Sequence, residues 1–169
     1  MKLHTDFTIN GKHYPKGSEY NGKFIYAFFL FHMAMFGGSG FLMAYNSNVE
    51  LSFLYMHGGF AILIYTIFYF AIFGFDTVKW MFINAGLGLF GIYAEINWLL
   101  SLFGKQASDF PRKVHVIPFL YYVLYTFLIR QAVLDFVGVR DDPERTKKTN
   151  IWYVIVSLVI YSIIYIIQK

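Results

Sequence analysis

The stretch Trp80–Phe103, WMFINAGLGLFGIYAEINWLLSLF, decides how the rest of the chain is read. It is longer than the roughly 20 residues an α-helix needs to cross a hydrocarbon core of about 30 Å. One carboxylate, Glu95, sits deep within its apolar run. Residues three and four apart share a helix face, so Asn84, Gly88, Gly91 and Glu95 form one stripe, which Trp98 and Leu102 continue. Glycines let a second helix approach closely, and a Glu turned to lipid is costly. The stripe therefore predicts a helix-packing face turned toward protein, with this span at the centre of its fold.

Four further stretches reach or approach spanning length: Phe24–Tyr45, Leu51–Phe73, Val116–Val137 and Ile151–Ile167. Of 169 residues, 57% are hydrophobic and 14% charged, well below the quarter or so of charged residues in a soluble domain. The expected class is an all-α, polytopic integral membrane protein: a bundle of about five transmembrane helices over residues 24–169, behind a short polar tail, residues 1–23. This is one domain, whose first partner is the lipid bilayer. A bundle this small is expected to add its own copies or another membrane protein.

Composition also excludes function classes. Without cysteine there is no disulfide framework, thiol nucleophile or thiolate metal site. No basic patch interleaved with aromatics lies outside the spans, so nucleic acid is not an expected partner. The first apolar run is too long for a signal peptide's core and lacks a small-residue cleavage signal, which predicts a retained span.

In the tail, Asn10-Gly11 stands between Phe7-Thr8-Ile9 and Lys12-His13-Tyr14, the pattern of a type I′ hairpin. The competing expectation is a solvated tail, because a lone hairpin is marginal in water. In the first span, Gly37-Gly38-Ser39-Gly40 reads either as a close-packing face around Ala34 and Gly38 or as a helix break lining a site. Gly74 is placed to end the second span, Asp76 or Thr77 to cap the third, and Thr149 or Asn150 to cap the last. Pro118 falls in the first turn of the fourth span, where proline is tolerated. The short link Asn46-Ser47-Asn48 makes the first two spans antiparallel neighbours, and Gly138–Asn150 reads as a charged, solvated loop.

Five spans place the two termini on opposite sides, so basic residues can be summed on each. The tail (Lys2, Lys12, Lys16, Lys23), Lys79, Arg140, Arg145, Lys147 and Lys148 make nine, against four from Lys105, Arg112, Lys113 and Lys169. The positive-inside rule then predicts a cytoplasmic N-terminus and an outside C-terminus, in the inner membrane if the cell is bacterial.

At a helical rise of about 1.5 Å, Glu95 and His57 lie about 5 and 7 Å to the outer side of mid-membrane, and Arg130 about 5 Å to the inner side. Long side chains leaning toward each other could join Glu95 to Arg130 as an ion pair fixing two spans. Alternatively His57, Glu95, Asn97 and Arg130 line one polar cavity for an ion, proton or small substrate. No cofactor is expected: His32 and His57 differ by about 11 Å in level, too far to hold one haem between them. Nor is a metal expected, since within the spans no two His, Asp or Glu residues have the i, i+3 or i, i+4 spacing that delivers two ligands. No nucleophile motif or paired carboxylates suggest catalysis. Two functions follow: a non-catalytic membrane protein (a subunit, assembly or protective factor) acting through helix packing at Gly38, Asn84, Gly88 and Gly91, or a small oligomeric channel or transporter with a path past Glu95.

Overall fold

A computed structural model describes residues 2–46 and 48–167, with all their side chains except those of Ile9, Ile92 and Tyr93. Ser47 of the first link and Lys169 of the charge sum lie outside the described residues. The chain is mostly helical: α1 (Gly22–Ala44), α2 (Leu51–Phe73), a one-turn α3 (Phe75–Val78), α4 (Trp80–Ser101), α5 (Val116–Phe136) and α6 (Pro143–Ile167). Before them, β1 (Phe7–Ile9) and β2 (Lys12–Tyr14) pair antiparallel, Phe7 opposite Tyr14. Asn10 and Gly11 have φ of 49° and 73°, the double positive φ of a type I′ turn.

Among the described residues, four helical segments are long and apolar enough to cross a membrane: Gly22–Ala44, Leu51–Phe73, Arg112–Phe136 and Pro143–Ile167. Their outward faces carry Phe31, Met56, Phe60, Leu63, Trp152 and Ile166, all more than half exposed. Contiguous apolar surface on that scale marks contact with lipid or another protein rather than water.

The hairpin is not a lone element. Leu3 is buried with the core, Phe7 meets Phe68 of α2 with ring centroids 5.4 Å apart, and the His4 N–H donates to the Ala71 carbonyl at 3.1 Å. That carbonyl belongs to the last turn of α2, where carbonyls lack partners within the helix. Gly74 ends α2 at φ 80°, its N–H donating to the Phe70 carbonyl. A Cβ on Gly74 would lie 2.8 Å from the His4 ring, so the tail packs where only glycine fits. The tail thus caps α2, and tertiary packing supplies what an isolated hairpin lacks.

The centre of the bundle is α5, not Trp80–Phe103. Helix α5 lies against α1, α2, α4 and α6, and its Ile117, Tyr121, Leu124, Phe127, Leu128 and Gln131 are buried. Helix α4 packs chiefly on α5 and α6. Intramembrane burial and lipid contact both demand apolar side chains, so composition could not distinguish a surrounded helix from a peripheral one.

Helix α1 runs unbroken through Gly37–Gly40, with Gly37 and Gly40 serving close approach. A Cβ at Gly37 or Gly40 would lie 3.4 or 3.3 Å from the Tyr121 ring of α5. Gly38, expected on the packing face, instead points away: it is exposed, and a Cβ there would meet nothing within 4 Å. Gly58 of α2 makes the tightest approach, directly against the Ile117 side chain.

The last helix begins eight residues before the expected Ile151. Asp142 Oδ1 accepts from the N–H groups of Glu144 and Arg145, both at 3.0 Å, and Pro143 takes the first helical position. This is an N-cap followed by a residue already set to helical φ. The Asp142 carboxylate is therefore a cap rather than part of a solvated loop, and neither Thr149 nor Asn150 starts the helix. Neither α3 nor α4 has a side-chain cap, so the roles expected for Asp76 and Thr77 are not found.

Candidate functional site

Polar side chains inside the bundle gather in several separate places. On the tail side, Asp135 near the end of α5 accepts from the Tyr26 hydroxyl of α1 and from Arg140 Nε in the α5–α6 turn. Arg140 extends its fork further, Nη1 to Gln131 Oε1 at 3.0 Å and Nη2 to the Gln131 carbonyl at 3.1 Å and the Tyr26 oxygen at 3.2 Å. A planar guanidinium can satisfy so many acceptors at once because its five donors are held in fixed directions. Burial pulls the Arg140 pKa down, but the hydrogen bonds to Asp135 and Tyr26 and the Asp135 charge outweigh it and hold it above its ordinary value. Nothing in the sequence pattern points to the Tyr26 contact from α1.

Arg130 and Glu95 do not pair. Among the described residues the ion pairs are Lys2–Glu19 and Arg140–Asp135. Arg130, 3% exposed, donates from Nε to Asn150 Oδ1 of α6 at 3.0 Å and lies 3.9 Å from the Trp80 ring centroid. A cation–π contact with a neutral amide acceptor thus takes the place of the expected carboxylate. Asn150 could do this because the helix starts at Pro143, which puts a residue expected at a helix end inside α6. Asn84, one helical turn beyond Trp80, is 1% exposed, and neither its amide oxygen nor its nitrogen has a partner among the described residues.

At the opposite end Asn97 Oδ1 accepts from the Ala107 N–H at 2.7 Å, fixing the loop after α4. Lys105 Nζ donates to the Tyr45 carbonyl at 3.1 Å, and the Tyr45 hydroxyl lies 2.8 Å from His115 Nδ1. Asn97 therefore fastens a loop, and it is not among the described residues that line the His57 groove.

His57 occupies a groove of about 480 Å³ between α1 and α2, with His32 and a wall of phenylalanines. Phe36 touches both imidazoles, at centroid distances of 6.4 Å from His32 and 5.8 Å from His57. His57 Nε2 lies 3.4 Å from Ser39 Oγ. Among the described residues no three His, Asp or Glu side chains come together as a metal site.

Glu95 differs from the other polar groups. Half-buried, it has no hydrogen-bond or ion-pair partner among the described residues. Two cavities meet it: one of about 470 Å³ between α1 and α4, floored by α5, and one of about 460 Å³ along α5 and α6. Tyr122 and Tyr125 border both. On the same helix Gly88 and Gly91 are close-approach positions, where a Cβ would lie 3.0 Å from the Phe119 and Tyr122 rings and 2.9 Å from Tyr161 respectively. The stripe read from sequence therefore divides: Gly88 faces α5 and Gly91 faces α6, Asn84 is buried, and Glu95 opens to the grooves. The four residues expected to share a cavity, His57, Glu95, Asn97 and Arg130, occupy separate surroundings.

Comparison of the chain with protein-family models, curated proteins and solved structures finds no match.

Proposed function

We propose that the chain is a non-catalytic integral membrane protein, a subunit, assembly or protective factor that acts by packing against its own copies or another membrane protein. In this reading α4 is a fifth span beside the four apolar segments, the tail side is cytoplasmic and the C-terminus lies outside. The observation that carries it is how the intramembrane polar groups are used. Asp135 is tied to α1 and to the α5–α6 turn, Arg130 to α6, and Asn97 to a loop, so polar groups join elements instead of lining a common passage. Polar contacts of this kind hold helices together in a bilayer, where apolar side chains gain little by leaving lipid. The broad exposed faces of α1, α2 and α6 are the surfaces available to a partner.

A second reading, a small channel or transporter, is favoured by the unpartnered Glu95 alone, because intramembrane carboxylates commonly mark ion paths. Purified protein in liposomes loaded with a pH-sensitive dye separates the two. The packing reading predicts proton and cation leakage equal to that of empty liposomes, and flux abolished by Glu95→Gln would establish the second reading instead.

A further inference from the structure

The Glu95 grooves have the composition of a ligand site. The larger lies between α1 and α4, has a volume of about 470 Å³ and is lined almost wholly by apolar groups, with Glu95 as its charged side chain. Sites for small organic molecules have this size and this sparse polarity. On the α1 side Gly38 leaves the wall open, since nothing lies within 4 Å of where its Cβ would be. On the α5 side stand Tyr121, Tyr122 and Tyr125.

A carboxylate in a low-dielectric groove calls for a cation, and among the described residues none lines either groove. Arg130 is committed to Asn150 and Trp80, Arg140 to Asp135, and Lys105 to the Tyr45 carbonyl in the loop beyond α4. Tyrosine rings attract cations through their π faces, most strongly where water is excluded. One carboxylate, aromatic walls and an apolar body to the groove therefore select charge and hydrophobicity together. We propose that the Glu95 groove binds a lipophilic organic cation, with the cationic centre at the Glu95 carboxylate and the apolar body between α1 and α4. This goes beyond the packing role proposed above and does not depend on it.

The test uses the full chain in phosphatidylcholine nanodiscs, titrated calorimetrically with tetraphenylphosphonium and, separately, with neutral triphenylphosphine oxide. The expected result is saturable binding of the cation and at least tenfold weaker binding of the neutral compound. Glu95→Gln removes the charge with little change of shape and should weaken the cation at least tenfold, leaving the neutral compound unchanged. Gly38→Leu should also weaken the cation by filling the groove from α1 and, having open space before it, should fold like the parent. This second variant keeps the test decisive if Glu95→Gln fails to fold. Equal binding of the two compounds, or cation binding unaltered by either variant, would overturn the proposal. So would cross-linking that finds the groove closed by a second copy or by another helix.

Discussion

Removal of the Arg140 guanidinium offers the sharpest test of how the bundle is joined. Arg140→Met deletes four donated hydrogen bonds and leaves Asp135 with only the Tyr26 hydroxyl of its two partners. Breaking a fully buried ion pair costs about 3–5 kcal/mol, and an exposed one under about 1. The two side chains here are 29% and 24% exposed, so the loss falls between, at about 2–3 kcal/mol. Arg140→Lys keeps the charge but not the fork and should lose about half of that. In the double variant Asp135→Asn with Arg140→Met no charge is stranded, and most of the loss should be recovered. The assay is unfolding in mixed micelles of dodecylmaltoside and SDS for the parent, both single variants and the double. Losses that add, with a coupling under about 0.5 kcal/mol, would refute the claim that this pair ties α1, α5 and the turn together.

Other outcomes follow from single sites. Because the pKa of Arg140 is raised on folding, its contribution is complete below the unfolded value and fades only as pH rises through the folded one. The stability difference between parent and Arg140→Met should therefore not decline through Arg140 titration between about pH 6 and 9, and a decline over that window would contradict the assignment. Gly58→Ala places a methyl against Ile117 and should cost about 1–3 kcal/mol, with relief on adding Ile117→Val; an unchanged unfolding midpoint would show the approach of α2 to α5 to be looser than described. Asp142→Ala should cost about 1 kcal/mol through loss of the α6 N-cap, while Asp141→Ala serves as the control; equal effects would mean that Asp142 is no cap. Reporter fusions after Lys23 and Asp141 should report cytoplasm and one after Lys105 the outside, and the opposite signals would invert the proposed topology.

What the sequence made legible was whatever rests on local chemistry. Asn10-Gly11 specified its turn because few other dipeptides accept positive φ at both positions. Helix lengths followed from apolar runs, except where polar residues continue a helix. Pro143 to Asn150 is charged, yet Asp142 and Pro143 together form a start signal that its acidic neighbours obscured. What stayed illegible was rotation about each helix axis. Levels along the membrane normal made a Glu95–Arg130 contact conceivable, but only the packing of α4 against both α5 and α6 brings Arg130 to Trp80 and Asn150. The same rotation sends Gly38 outward and Gly37 and Gly40 inward, although all three belong to one small-residue cluster. A helix surrounded by protein and one surrounded by lipid are both apolar on every face, so the central place of α5 left no periodic trace.

The central claim, that polar groups join elements and line no aqueous passage, is tested most directly by solvent access at position 95. The chain has no cysteine, so Glu95→Cys introduces its only thiol. In sealed vesicles the thiol is challenged with a charged, membrane-impermeant sulfonate thiosulfonate from either side, and with a lipophilic maleimide. The account predicts labelling by the maleimide and none by the sulfonate, with a cysteine introduced at exposed Ser108 as the positive control for aqueous labelling. Rapid sulfonate labelling at position 95 would reveal water beside it and contradict the account.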